Sequence, residues 1–147
     1  MVQEGVVAVV RRGERYLVIQ RAPGLIAAGA WCFVGGAIEP GESQAAAVVR
    51  EFSEEVGASI RPIRKVWEYL RPDGALRLHW WLAKLVDGQL HPNEAEVSAV
   101  RWLTAAEIAR LPDLLLSNGA FLSAVARGEV QLMDADEPRV SDRVPDS

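Results

Sequence analysis

One cysteine, Cys32, is all the thiol this chain of 147 residues contains. A single thiol forms no internal disulfide, so a disulfide-stapled secreted scaffold is excluded and a reducing, cytoplasmic setting is expected. Long apolar runs are missing too. The hydrophobic stretches are short and interrupted, so neither a membrane-spanning helix nor a signal peptide is expected, and no membrane partner. Nor is positive charge in excess. Sixteen Lys and Arg stand against twenty Asp and Glu, for a formal net charge of −4, so general attraction to nucleic acid is not expected and no nucleic-acid partner is assigned. The chain also lacks internal repeats and low-complexity blocks, which excludes solenoids and arrays.

What it does have is apolar material. Half the residues are hydrophobic, enough for one domain with a sizeable core. Val6 to Val10 and Arg15 to Gln20 predict two strands joined by the polar turn Arg11-Arg12-Gly13-Glu14, a hairpin. The unbroken run Val6-Val7-Ala8-Val9-Val10 predicts a central strand covered on both faces. Arg21 to Ala30, with Pro23, Gly24 and Gly29, predicts a loop, and Trp31 to Val34 a short strand. Further on, Ile63 to Leu70 and Leu76 to Val86 predict a second hairpin around Arg71-Pro72-Asp73-Gly74. Val97 to Leu103 predicts another strand. Thr104 then caps a helix through Leu111, with Glu107 completing a capping box, and Pro112 ends it. Asp113 to Arg127 predicts a final helix weakened by Asn118-Gly119, whose Leu114-Leu115-Leu116 run is either core or the surface of a homodimer. This order predicts an α/β fold, a mixed sheet between helices. The domain is expected over residues 1–132, and residues 133–147 as an acidic, proline-containing, flexible tail.

The stretch Gly35-Gly36-Ala37-Ile38-Glu39-Pro40-Gly41-Glu42 and the run after it carry the chemistry. Pro40-Gly41 predicts a type II turn, since proline presets φ at its first central position and glycine accepts positive φ at the second. Ser43 predicts an N-cap, and the run to Val56 a helix closed by Gly57 in left-handed geometry. Ala45, Val49, Phe52 and Val56 fall on one stripe, the face expected to be buried. Glu51, Glu54 and Glu55 are then expected on the opposite face. At spacings of three and four they repel one another by roughly 0.2–0.5 kcal/mol per pair. Either Arg50 balances a solvated acidic face, or a hard divalent cation does, Mg²⁺ with Mn²⁺ as a substitute, taking carboxylate and phosphate oxygens.

Written by spacing, the segment is Gly36, five residues, Glu42, seven residues, Arg50-Glu51-Phe52, one residue, Glu54-Glu55, one residue, Gly57-Ala58. It resembles the signature of the Nudix hydrolases, GX5EX7REUXEEXGU with U a bulky apolar residue, MutT-like members included. Every fixed polar and glycine position is matched. Ala58 is smaller than the usual final U, and Val34 stands where many relatives have proline. The resemblance implies an α/β/α sandwich with a mixed sheet. It also implies a pyrophosphohydrolase acting on a nucleoside diphosphate linked to another moiety: a nucleoside triphosphate, oxidised ones included, or a nucleotide sugar such as ADP-ribose. By position it makes Glu51, Glu54 and Glu55 metal ligands, with the Gly36 or Gly35 carbonyl in support. Arg50 would orient a motif carboxylate, and Glu42 would assist through water or brace the loop. The general base is a motif glutamate or one from the later loop His91-Pro92-Asn93-Glu94-Ala95-Glu96, where Glu96 ranks above Glu94. A nucleotide-sensing or protein-binding module without turnover is expected to lack motif glutamates, and none is missing here. His79, beside Trp80 and Trp81 on a strand, is expected to pack rather than to catalyse, and the two tryptophans to face opposite ways.

Overall fold

The computed structural model describes residues 1–133, so the flexible-tail expectation, Met133 apart, lies outside the described residues. In chain order the elements are β1 (Gln3–Arg12), β2 (Arg15–Arg21), β3 (Trp31–Cys32), β4 (Gly35–Ala37), α1 (Gln44–Val56), β5 (Ile60–Leu70), β6 (Leu76–Leu85), β7 (Val97–Thr104), α2 (Ala105–Ala109) and α3 (Leu116–Ala126).

The sheet is mixed, as expected. Strand β1 runs parallel to β6, Gln3 opposite Leu76 through Val10 opposite Ala83, and antiparallel to β4, with Val6 opposite Gly36. Strand β5 pairs antiparallel with β6, and β2 pairs with both β3 and β7. The β1–β2 hairpin is shorter than its sequence suggests. Its arms pair only at Arg11–Tyr16 and Arg12–Arg15, then part to join different neighbours.

Period-two alternation explains the layers. Val6, Ala8 and Val10 of β1 with Leu17 and Ile19 of β2 pack under α1, against Val48, Phe52 and Val56. The intervening Val7 and Val9, with Tyr16 and Val18, face α2 and α3, where Ile108 and Phe121 cover them. Aromatic rings fill this second core. Trp80 stacks on Phe121 at 4.3 Å and 9°, and Phe33 meets both edge-on. Helices thus cover both faces of the sheet.

Helix α1 is capped as its residues require. Ser43 Oγ accepts from the Ala46 amide at 3.1 Å, and Gly57, at φ 66°, donates its amide to the Ser53 carbonyl. Its rotation differs from expectation. The buried residues are Ala47, Val48, Phe52, Glu55 and Val56, whereas Ala45 and Val49 are only half-buried. With Val48 rather than Val49 turned to the sheet, position 55, seven residues on, shares the buried stripe and carries Glu55 inward.

Helix α3 begins at Leu116, three residues later than expected, because residues 113–115 pair with β3 instead. Trp31 donates its amide to Asp113 O, and Leu115 donates to Trp31 O. Asn118 is no weak point. It is buried, and its Oδ1 accepts the Phe33 amide at 2.9 Å between β3 and β4.

Candidate active site

The chain enters the site through β4. The Ala8 amide donates to Val34 O at 2.8 Å, and the two glycines that follow do different work. A Cβ on Gly35 would overlap the Val6 carbonyl of β1, so the first glycine lets the backbones close. A Cβ on Gly36 would overlap the carboxyl group of Glu51, so the second leaves a seat for that side chain. Next comes the expected turn. Gly41 has φ 78°, and the Glu42 amide donates to Glu39 O at 3.1 Å.

Arg50 ties this turn to the helix. Its Nε and Nη2 grip both oxygens of Glu42 at 2.7 and 2.9 Å, the fork geometry in which guanidinium pairs are strongest. Nη1 reaches Glu51 Oε1 at 2.9 Å and Glu54 Oε2 at 3.2 Å, and Nη2 also donates to Ala37 O at 3.0 Å. The guanidinium of Arg50, then the Glu39 amide, hold the Glu42 carboxyl down at about 2. Arg50 in turn is held more firmly protonated, chiefly by Glu42.

Glu51 and Glu55 lie in the opposite electrostatic regime. Burial raises the Glu51 carboxyl, Arg50 counteracts it, and the charges of Glu54 and Glu96 push it up again. Glu55 goes further. Burial first, then the charges of Glu51 and Glu96, push it up to about 8, while Arg21 and the Gly35 amide pull the other way. The side chain of Glu54 is about half exposed and held by Arg50.

Glu96 joins the cluster because the loop before β7 is laced to α1. The Asn93 amide donates to Glu55 O at 2.9 Å, His91 to Val56 O at 2.7 Å, and Ala22 to Glu96 O at 3.0 Å. Glu96 is half-buried and acts on both Glu51 and Glu55. Glu94 is exposed. The structure therefore sets Glu51, Glu55 and Glu96 within electrostatic reach of one another, with Glu42 and Glu54 joined through Arg50.

Two observations bear on a bound cation. Glu55 Oε2 is buried and has no hydrogen-bond partner, an orphan that a divalent ion would satisfy. The Gly36 seat keeps the Glu51 carboxylate against β4 in a space that any larger residue would close. Among the described residues no three acidic, His or Cys side chains are already gathered as a finished coordination shell. The donor set is instead one of hard oxygens under mutual repulsion, which fits Mg²⁺ or Mn²⁺.

Two residues at the site went unread in the sequence. Arg21, at the end of β2, acts on both Glu55 and Cys32, and its Nε donates to Ile26 O at 2.8 Å. Cys32 lies buried beside Glu55, and burial followed by that charge pushes its thiol up to about 12, so it is unreactive. The one available signal was an arginine opening a loop without polar side chains.

His79 stands outside the acidic cluster of α1. It is buried, with Nε2 at 3.2 Å from Glu4 Oε1 and Nδ1 at 3.3 Å from Glu68 Oε1, linking β1, β6 and β5. Trp80 is core, and Trp81, on the other face, donates Nε1–H to Gln44 Oε1 at 3.0 Å. Leu114 and Leu115 are half-buried against the two cores, whereas Leu116 is 87% exposed. No helix among the described residues is long and apolar enough to cross a membrane.

The NUDIX domain family model matches residues 1–125. The CTP pyrophosphohydrolase of Escherichia coli (strain K12) is 33% identical over 111 residues, 74% of this chain and 81% of that protein. A putative 8-oxo-dGTP diphosphatase of Bacillus subtilis (strain 168) is 28% identical over 116 residues, 79% of this chain and 73% of the relative. Among solved structures, the solution structure of the E. coli ORF135 protein superposes with a TM-score of 0.69 at 30% identity, covering 86% of this chain and 89% of its own.

Proposed function

Since this chain belongs to the Nudix hydrolase family and is a pyrophosphohydrolase of nucleotide substrates, we propose that it is a divalent-metal-dependent enzyme cleaving nucleoside triphosphates to the monophosphate and pyrophosphate. The two relatives above carry the names of nucleoside triphosphates, CTP and 8-oxo-dGTP, which favours that class over nucleotide sugars and ADP-ribose. The observation that carries the reading is the buried Glu55 with its orphan oxygen, pressed by the charges of Glu51 and Glu96. Such a cluster is unfavourable by itself and becomes favourable around a cation.

The reaction adds water across a P–O–P linkage. A bound divalent ion supplies charge neutralisation for the phosphates and acidifies water. Glu51, Glu55 and Glu54, with the Gly36 carbonyl, would hold that ion. Arg50 fixes the angle of the Glu51 and Glu54 carboxylates, and Glu42 anchors Arg50 to the turn, so both are positioning residues. Glu96, whose charge acts on Glu51 and Glu55, would accept the proton of the attacking water. The cytoplasm suits this reading, since a lone thiol such as Cys32 stays reduced there.

The test is turnover on a nucleotide panel with Mg²⁺ or Mn²⁺, the products identified, beside Glu51→Gln and Glu55→Gln. Metal-dependent release of monophosphate and pyrophosphate, lost in both variants, is expected. Undiminished rates in both would end the reading.

A further inference from the structure

Outside the acidic cluster, three strands meet in a second group of charged side chains. His79 of β6 is 4% exposed. Its Nε2 lies 3.2 Å from Glu4 Oε1 of β1, and its Nδ1 lies 3.3 Å from Glu68 Oε1 of β5. Arg77 reaches the same two carboxylates, with Nη1 3.4 Å from Glu4 Oε1 and Nε 3.6 Å from Glu68 Oε2. Lys65 Nζ donates to Glu68 Oε1 at 2.7 Å. As a source of stability this junction is poor. Glu4 Oε2 and His79 Nδ1 are buried without a hydrogen bond among the described residues, and a buried charged contact satisfied in part is commonly no better than an apolar one. What such a contact does is reject misalignment.

Strand β1 needs a device of that kind. Val6, Ala8 and Val10 on its α1 side are small aliphatic residues of similar shape, and so are Val7 and Val9 on the other. A slip of two residues against β6 keeps every side chain on its face and, over most of the strand, exchanges one such residue for another. The charged end tells the registers apart. As built, Glu4 stands opposite Arg77 and Val6 opposite His79, so the imidazole and the guanidinium reach one carboxylate. A slip in one direction sets Arg77 against Val2. In the other direction Arg77 meets Val6, and His79 meets Ala8.

Register matters to the site because the two sides of the Glu51 seat hang from different strands. Strand β1 carries β4: Val6 faces Gly36, and Glu4 O accepts the Ile38 amide at 3.0 Å. Strand β6 holds the start of α1, through Trp81 Nε1–H to Gln44 Oε1 at 3.0 Å. Two residues of slip amount to about 6.6 Å, far beyond the 1 Å misplacement that costs a reacting constellation on the order of 100-fold. We propose that Glu4, Arg77 and His79 form a register lock that aligns β4 with α1, which makes them positioning residues for the reaction; the kinetic side of this rests on the pyrophosphohydrolase reading above.

Glu4→Leu, Glu4→Gln and the double variant Glu4→Leu/His79→Leu test this, compared by ¹H–¹⁵N spectra, melting temperature and steady-state kinetics with Mg²⁺ on CTP, or on whichever nucleotide of the panel is turned over fastest. In Glu4→Leu and the double variant, the amides of residues 3–8 and 35–38 should split into two sets of comparable intensity. Their kcat should fall about twofold or more, in step with the second set, at unchanged KM, because slipped molecules are inactive and the others intact. The double variant should still melt within a few degrees of wild type, since it leaves neither member of the pair alone. Glu4→Gln, whose side-chain oxygen still accepts from both neighbours, should keep one set and wild-type kcat. A single set in the double variant, two sets with wild-type kcat, or a double variant that does not fold overturns the lock and leaves the pyrophosphohydrolase reading intact. If the wild type turns over no nucleotide, that reading fails, and the spectra decide the lock by themselves: splitting supports it and a single set overturns it.

Discussion

Replacing Gly36 by alanine separates the geometry of the site from the stability of the fold. The new methyl would stand within 2.5 Å of Glu51 Oε1. Contacts to carbon settle near 3.5 Å, so the carboxylate must retreat by about 1 Å. Because that carboxylate ends a flexible side chain, the retreat costs the fold little. Part of the charge-assisted bond from Arg50 Nη1 is lost, roughly 1 kcal/mol, while alanine in a strand gains back about 0.5–1 kcal/mol over glycine. The melting temperature should therefore stay within a few degrees of wild type. Activity behaves otherwise, since a 1 Å misplacement of a reacting constellation costs on the order of 100-fold. Steady-state kcat and a thermal melt on the same preparation read the two effects. Gly35→Ala is the contrast. Its methyl meets the Val6 carbonyl, which belongs to the backbone and cannot swing aside, so it should lose about 2 kcal/mol or more of stability. Wild-type kcat in Gly36→Ala at an unchanged melting temperature would refute the seat assigned to Glu51.

Arg50→Lys keeps the charge but loses the fork to Glu42 and the reach to Glu51, Glu54 and Ala37 O. It should lower kcat at least tenfold and destabilise by about 2 kcal/mol in denaturant titration. For Glu42 the folded carboxyl titrates near 2, below its ordinary 4.5. Its stabilisation is complete above pH 4.5 and is lost as pH falls through about 2. The melting-temperature gap between wild type and Glu42→Gln should therefore be full at pH 7 and close between pH 4.5 and 2. Phe121→Ala opens the stack on Trp80 and should cost about 3–5 kcal/mol in chemical unfolding, with kcat per folded molecule unchanged.

Local rules made much of the architecture legible. Ser43, Gly57, Thr104 with Glu107, and Pro40-Gly41 each satisfy a backbone requirement through near neighbours, and each stands where those requirements put it. The valine run of β1 announced burial on both faces for the same reason. The phase of α1 was not legible. Val48 and Val49 are equally apolar neighbours, and only the sheet decides which one turns inward; the burial of Glu55 follows from that choice. Arg21 and Cys32 were missed because their importance comes from Glu55, more than twenty residues away in sequence. The setting of His79 between Glu4 and Glu68 likewise depends on strand register, which composition does not reveal. What the spacing of the glutamates signalled was a set of side chains; the fold supplied their environment.

Strand β1 gives Val6, Ala8 and Val10 to one hydrophobic interior and Val7 and Val9 to the other. The two halves of the molecule therefore have a common owner. Neither half can melt while its counterpart survives, because pulling β1 away strips both at once. Denaturation should then be all-or-none, with the amides of residues 6–10 the last to trade hydrogen for deuterium. It also follows that an opening confined to the catalytic side must occur in loops and helix ends, since the shared strand has no slack to lend.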